Sequence, residues 1–347
     1  MATAFSAHAA DNIQKPPVID SISICEKSGG TVCDYYVYEK VADLPKFAAP
    51  DGTQRVVQAM DICNGYAFVG FDGGYCRTLR MSDMAVVGEF PLGSNVPSNH
   101  CGNLDFGVET PEGSEFPALY VSGDLTTFSC YVEKVTPTSA ELIQTIKFDL
   151  GNGYNGSQVV IDHERNSILY MQRKLKKINT DENTIVVCRF RLPRLVEGDV
   201  TFTASDVLES YELPVWLRLY QGAEIVGNLL FEVNGIYPVE PGRKQTVYNT
   251  VTGKLSSKDV LCAELNVFDK VTGEHLSGQD ISAIDREPQG VSTYDGDLYI
   301  NFQDAIWRID ICKETRKRLG QIDNKSSFRT DARSAGRDCL QAMPCKE

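Results

Sequence analysis

Val56-Val57-Gln58-Ala59-Met60-Asp61-Ile62-Cys63-Asn64-Gly65-Tyr66-Ala67-Phe68-Val69-Gly70-Phe71 reads as two apolar strands joined by a two-residue turn. Asn-Gly suits the left-handed backbone of a tight hairpin, whose twist matches that of the flanking strands. Asp72-Gly73-Gly74 then turns the chain into Tyr75 to Met81, and Ala85 to Phe90 supplies a fourth strand. Four antiparallel strands in about 35 residues make one propeller blade.

The phrase recurs. Gly102-Asn103-Leu104-Asp105 leads into Leu119-Tyr120-Val121, and Gln158-Val159-Val160-Ile161 into Ile168-Leu169-Tyr170. Gln221-Gly222-Ala223-Glu224 leads into Leu229-Leu230-Phe231, and Gln289-Gly290-Val291-Ser292 into Leu298-Tyr299-Ile300. Repeats of this size are stacked supersecondary units. The expected fold is all-β: a propeller of four-stranded antiparallel blades, five by repeat count, with six as the alternative. Blades are expected from about residues 56, 102, 157, 221 and 289, with longer loops in the later ones, such as 174–182 and 238–257, and the basic run Arg173-Lys174-Leu175-Lys176-Lys177 reads as a solvated loop. The ring is expected to close by N-terminal strands within 18–38 completing the last blade. The alternative is a sixth blade built from 18–50 and the C-terminus. One domain over 18–325 is expected, between an N-terminal segment 1–17 and a C-terminal tail 326–347.

Among 347 residues, 42% are hydrophobic and 23% charged, which is ordinary globular composition. The net charge of −13 repels phosphate backbones and anionic lipid, so nucleic acid is not an expected partner. No stretch is long and apolar enough to span a bilayer. Ala7-His8-Ala9-Ala10 resembles the cleavage end of a secretory signal, whereas a short disordered tail is the other reading. The first reading makes the protein extracytoplasmic: periplasmic, secreted or surface-anchored. Eleven cysteines show no zinc-ligand spacing. Cys25/Cys33 and Cys339/Cys345 are spaced to close small terminal loops, and Cys63, Cys188, Cys262 and Cys312 read as small buried hydrophobes.

In a propeller the first strand of each blade lines the axis, so residues near its start converge from all blades. Here the expected ligand-binding set is Asn99, His100, Asn155, Gln158, Arg218, Tyr220, Gln221, Arg286, Glu287 and Gln289. Gln58, Asp61, Asn103 and Tyr154 belong to the same level. Such groups offer directional hydrogen bonds and stacking rings, which suit a glycan or another small hydroxylated ligand. The plainer reading is that they satisfy one another and ordered water. His100, one of four histidines, is the sharpest acid/base candidate. Glu287, Glu224 and Asp105 are the carboxylates that a glycan-active hydrolase or lyase needs. No cofactor is expected. A divalent cation in the channel requires several converging oxygens, and their facing is not set by sequence. Asp162-His163-Glu164-Arg165-Asn166 reads as a blade turn rather than a metal site. No GxSxG, phosphate-binding Gly loop or HExxH occurs.

Arg286-Glu287-Pro288-Gln289-Gly290-Val291, followed by Tyr294-Asp295-Gly296-Asp297-Leu298-Tyr299-Ile300, resembles bacterial propellers of the helveticin and teichoic-acid-biosynthesis type. There an "EPQG" phrase opens an inner strand ahead of a "DGxLY" hairpin. The match covers one blade closely and the others loosely, so it implies the fold and carries no catalytic set. The functional expectation is a monomeric binder of a carbohydrate or cell-surface polymer at the channel mouth. A glycan-active enzyme is the first alternative and a protein-interaction scaffold the second.

Overall fold

The computed structural model describes residues 37–124, 128–174, 184–213, 220–238, 244–249, 254–259, 261–281, 284 and 286–310. The expected disulfide pairs, Arg218, Cys312 and both terminal segments lie outside these residues, and so do residues 18–36.

Five sheets stand in a ring as a five-bladed propeller. Blade I is Val57–Cys63, Tyr66–Phe71, Tyr75–Arg80 and Ala85–Pro91. Blade II is Asn99–Phe106, Leu119–Asp124, Ser129–Thr136 and Ser139–Asp149. Blade III is Asn155–Asp162, Ser167–Lys174, Thr184–Arg191 and Glu209–Glu212. Blade IV is Tyr220–Val226, Leu229–Pro238, Leu261–Asp269 and His275–Asp280. Blade V is Pro288–Tyr294, Asp297–Phe302 and Ala305–Asp310, completed on its outer edge by Val37–Asp43. The Asn64-Gly65 and Asp295-Gly296 turns both hold positive φ, at 49° and 79° and at 51° and 84°.

Ring closure thus joins the N-terminal side of the chain to its last described strand. Glu39 lies opposite Arg308 and pairs with it at 2.6 Å. The described part of the closing strand is Val37–Asp43, which shares Val37 and Tyr38 with the expected 18–38. Two embellishments were not legible as such. The stretch 238–257, expected as loop, carries a hairpin of Lys244–Asn249 and Lys254–Asp259. An excursion from blade III lends Val200–Thr203 as a fifth, parallel strand to blade II, covering that outer edge.

Each interface between neighbouring blades holds its own apolar cluster. Phe68, Phe106 and Phe116 pack edge-on between blades I and II. Phe148 stacks on Tyr170 at 4.0 Å between blades II and III. Leu230 and Met171 fill the third interface, Phe231 and Ile300 the fourth, and Met60 and Ile306 the fifth. Alternation puts odd and even residues of each strand against different neighbours, and each fully buried Phe or Leu contributes about 1.5–3 kcal/mol. Cys63 and Cys188 are buried free thiols within these clusters, as expected, and Cys76, Cys101 and Cys130 join them.

Candidate site at the mouth of the propeller axis

The five inner strands touch one another around the axis. At their middle the axis is closed. A Cβ on Gly222 would meet Gly290 Cα at 2.5 Å, and Asn103 Nδ2 donates to both Val159 O and Ala223 O at 3.0 Å. Polar side chains therefore gather in two layers, one on each side of this constriction.

All five inner strands carry a bulge in the same place. The register against the second strand shifts between Val57 and Ala59, Asn99 and Asn103, Gly156 and Gln158, Tyr220 and Ala223, and Pro288 and Gly290. A bulge leaves a residue out of the ladder and re-aims it. In blades I, IV and V the interval holds Gln58, Gln221 and Gln289. Blade III is offset by one. Ile161 N–H donates to Asp105 Oδ2 at 2.6 Å, just as Phe106 N–H donates to Asp61 Oδ2 at 2.7 Å. Val160 is therefore the counterpart of Asp61 and Asp105, and Ser157 that of Gln58. Matching Gln158 to Gln58 by letter misplaces it by one residue.

The first layer forms the mouth. Gln58 Nε2 donates to Asp72 Oδ2 at 2.9 Å, and His100 Nδ1 lies 2.6 Å from Asp72 Oδ1. Glu287 accepts from Gln221 Nε2 at 3.1 Å, from Gln303 Nε2, and from the Gln289 side chain. Burial raises the Glu287 carboxyl above its usual range, and the charge of nearby His100 partly offsets this. Gln158 Nε2 reaches Gly102 O at 3.4 Å. Gln158 and Gln289 are each only 2% exposed, and their Oε1 atoms have no hydrogen-bond partner among the described residues. His100, Asp72, Gln221, Glu287 and Gln303 are half-buried, and Gln289 lies among them.

Behind Gln221, between blades III and IV, sits a second group. Glu232 is fully buried and its carboxyl is pushed up to about 8 by burial, although Asn266 donates to it at 3.2 Å. Its Oε1, both side-chain polar atoms of buried Asn234, and Arg173 Nε have no hydrogen-bond partner among the described residues. Arg173, which the sequence places in a solvated basic loop, instead ends a strand and lies 4.8 Å over the Tyr220 ring.

The second layer lies three residues further along the inner strands. Asp61 accepts from Ile62 N–H, from Phe106 N–H of blade II and from the Ser292 hydroxyl of blade V, each at 2.7 Å. Glu224 accepts from Thr293 Oγ1 of blade V at 3.3 Å. Burial, then the Asp105 charge, pushes Asp61 up to about 7. Burial also raises Asp105, and raises Glu224 well above the usual range with Asp61 and Asp105 adding to it. His163 Nε2 is 3.9 Å from Asp105 Oδ1. Burial pulls His163 down, but Asp105 outweighs it and the net shift is upward. The Asp162–Asn166 segment is a turn, as expected. Asp162 is locked by Arg189 at 2.8 Å and Lys270 at 2.9 Å.

The expected site residues therefore separate. His100, Gln221, Glu287 and Gln289 come together at the mouth, whereas Gln158, one residue out of step, reaches Gly102 O at the level of the constriction. Asp105 and Glu224 lie in the other layer and do not join His100. Asn99 is fully buried, donating to Ser94 O and accepting from Cys101 N–H, so it holds a turn. Tyr220 is buried with its hydroxyl on Met171 O. Arg286 pairs outward with Asp304 at 2.7 Å. Asn155 opens its strand. Sequence reasoning missed Asp72, Gln303, Arg173, Glu232 and Asn234, all on second strands or the turns after them. The Asp72-Gly73-Gly74 turn is the one signal that pointed to any of these.

Among the described residues, no group of three or more His, Cys, Asp or Glu is arranged to hold a metal ion, and no helix is long and apolar enough to cross a membrane. No family model matches the chain, and neither does any curated protein. Among solved structures, Myxococcus xanthus glutaminyl cyclase matches at 10% identity and a TM-score of 0.46, covering 79% of this chain and 96% of that one. Chaetomium thermophilum Raptor matches at 9% identity and a TM-score of 0.38, covering 78% of this chain and 28% of that one.

Proposed function

We propose that the protein binds a carbohydrate, or a hydroxylated stretch of a cell-surface polymer, at the mouth where the inner strands begin. The observation that carries this reading is the buried, unpartnered amide oxygen of Gln289 at the base of a half-buried polar rim. A buried acceptor left without a donor costs about 1–3 kcal/mol, which a ligand hydroxyl relieves. The rim residues supply the directional bonds that orient a sugar. A thermal-shift screen of the full chain against a glycan panel tests the reading. A shift is expected with at least one glycan and should disappear in His100→Ala. If no glycan shifts the melting temperature, the scaffold reading takes its place.

A second reading is favoured by one feature. Glu287, raised by burial, stands within the electrostatic reach of His100, which Asp72 orients. A carboxyl whose proton affinity is raised by burial, beside a steered imidazole, suits an acid/base pair. If the protein turns over a bound glycan, Glu287→Gln abolishes product formation while leaving the melting temperature nearly unchanged. Binding without product removes the enzymatic reading. An extracytoplasmic location belongs to the same proposal, and sequencing the N-terminus of the protein from its native host tests it.

A further inference from the structure

We infer that the interface between blades III and IV, separate from the mouth, holds a slot for a small neutral vicinal diol, as in glycerol or the end of a polyol chain. The repeat is broken here. Phe68 pairs with Asp61, Phe231 with Glu224 and Tyr299 with Ser292, which sets the second strands of blades I, IV and V in register. Next along these strands, facing the preceding blade, come Val69 and Phe71 in blade I and Ile300 and Phe302 in blade V. Blade IV has Glu232 and Asn234 at those two positions, both wholly buried. Two blades thus build this wall from apolar side chains, and the third sets a carboxyl and an amide into it. Asn is also much smaller than Phe, so the exchange gives up volume. Polar groups buried without partners cost stability, and the fold itself does not require them at this level.

Four buried atoms are left over in the slot. Glu232 Oε1, Asn234 Oδ1, Asn234 Nδ2 and Arg173 Nε have no hydrogen-bond partner among the described residues. The Glu232 carboxyl is nevertheless held in place, by Asn266 and by the Gln221 backbone N–H. Arg173 of blade III, 4.8 Å over the Tyr220 ring, is near enough for its charge to favour the Glu232 carboxylate. Arg173, Gln221 and Glu264, which borders Asn234 on the third strand, are half-buried, so the slot meets solvent beside them. The set holds two acceptors and two donors, and Asn234 contributes one of each whichever way its amide is turned. A cation would meet the Arg173 guanidinium, and an anion the carboxylates of Glu232 and Glu264. A hydroxyl gives one donor and brings lone pairs, so two adjacent hydroxyls match the four atoms. A hydroxyl also serves Glu232 in either state, donating to the carboxylate or accepting from the acid. Two ordered waters would satisfy the same groups, and they are the outcome the test must separate.

The test is a ligand-observed NMR titration of the full chain carrying His100→Ala, which takes the mouth out of play. The probes are glycerol, propane-1,2-diol and, as a control with the same two hydroxyls set apart, propane-1,3-diol. Glycerol or propane-1,2-diol is expected to bind, and propane-1,3-diol to bind more weakly. Asn234→Leu and Glu232→Leu, added singly, bring back the apolar character of the equivalent positions in blades I and V. Each should weaken the diol about tenfold or more, near 1.4 kcal/mol. If Glu232→Leu does not fold, Asn234→Leu alone decides. Failure of both vicinal diols to bind means that water alone fills the slot and overturns the inference. Binding that survives Asn234→Leu unweakened, or that favours propane-1,3-diol, overturns it as well. None of these results touches the mouth, whose glycan screen is run with His100 in place, so the two readings fail separately.

Discussion

Two polar layers lie along one axis, three residues apart on the same inner strands, and they are built to opposite ends. In the layer of Asp61, Asp105, Glu224 and Ser292, the side chains grip the neighbouring blade: Asp61 holds blades II and V, Asp105 holds blade III, and Glu224 holds blade V. In the layer of Gln58, Gln221, Gln289 and His100, the amide donors are committed to carboxylates, within blade I for Gln58 and across to Glu287 for Gln221, and the Gln289 oxygen has no donor among the described residues. Composition does not distinguish the layers, since both are rows of hydrogen-bonding side chains. What separates them is whether the next blade's backbone offers a donor at that level. Below the constriction it does, and the carboxylates become clasps. Above it the bulges re-aim the side chains away from the ladders, and the buried Gln289 oxygen is left without a donor among the described residues.

The contrast can be broken most forcibly from the clasp side. Asp61→Ala leaves two backbone N–H groups and the Ser292 hydroxyl without their acceptor, at about 1–3 kcal/mol each for those that stay dry. Chemical denaturation should show a loss of about 3 kcal/mol or more. A loss under about 1 kcal/mol would mean that the clasp is dispensable. Next comes the constriction. Gly222→Ala drives a methyl against the Gly290 and Gln289 backbone at 2.5 and 2.7 Å, and overpacking of this kind costs about 1–3 kcal/mol. An unchanged melting temperature would show that the inner strands part more easily than the contacts imply.

The pH dependence sharpens the same comparison. Glu232, behind the mouth, is raised from 4.5 to about 8, so folding favours its protonated form. That contribution is fully present below about pH 4.5 and is lost as the pH rises through about 8. Each pKa unit is worth about 1.4 kcal/mol, so the loss is on the order of a few kcal/mol. Glu232→Gln should therefore be close to wild type under acid conditions and clearly more stable at alkaline pH. Parallel stability curves for the two proteins would contradict this. The smallest effect is expected at the rim. His100→Ala should move stability by less than about 1 kcal/mol, because the ring is 36% exposed, while removing the glycan-induced shift in melting temperature. A large loss of stability would place His100 among the clasps.

The sequence reaches a long way in blade I. The expected strands there match the observed ones to within about a residue, because Asn64-Gly65 and Asp72-Gly73-Gly74 punctuate a clean alternation. It reaches less far in blades III and IV. The repeat phrase at Gln158 is displaced by one, and Arg173 and the Lys244–Asp259 region look like loop because they are polar. The first error lies in the facing of one residue and the second in reading polarity as loop. A letter match records residue type, whereas a bulge changes facing without changing type.

By itself the sequence determined that the protein is a five-fold repeat of antiparallel strands with polar residues opening each inner strand. Periodicity and turn chemistry are local, and a chain that alternates and turns in this way buries its apolar faces by stacking blades. Only the tertiary structure decided which polar residues are engaged and which are available. Asp61 meets its donors on blades II and V, and Glu287 meets Gln303 from the adjoining turn and Gln221 from the next blade. Those partners are distant along the chain and near only once the ring is closed. Whether an oxygen is left without a donor is a property of the assembled axis and of no single blade.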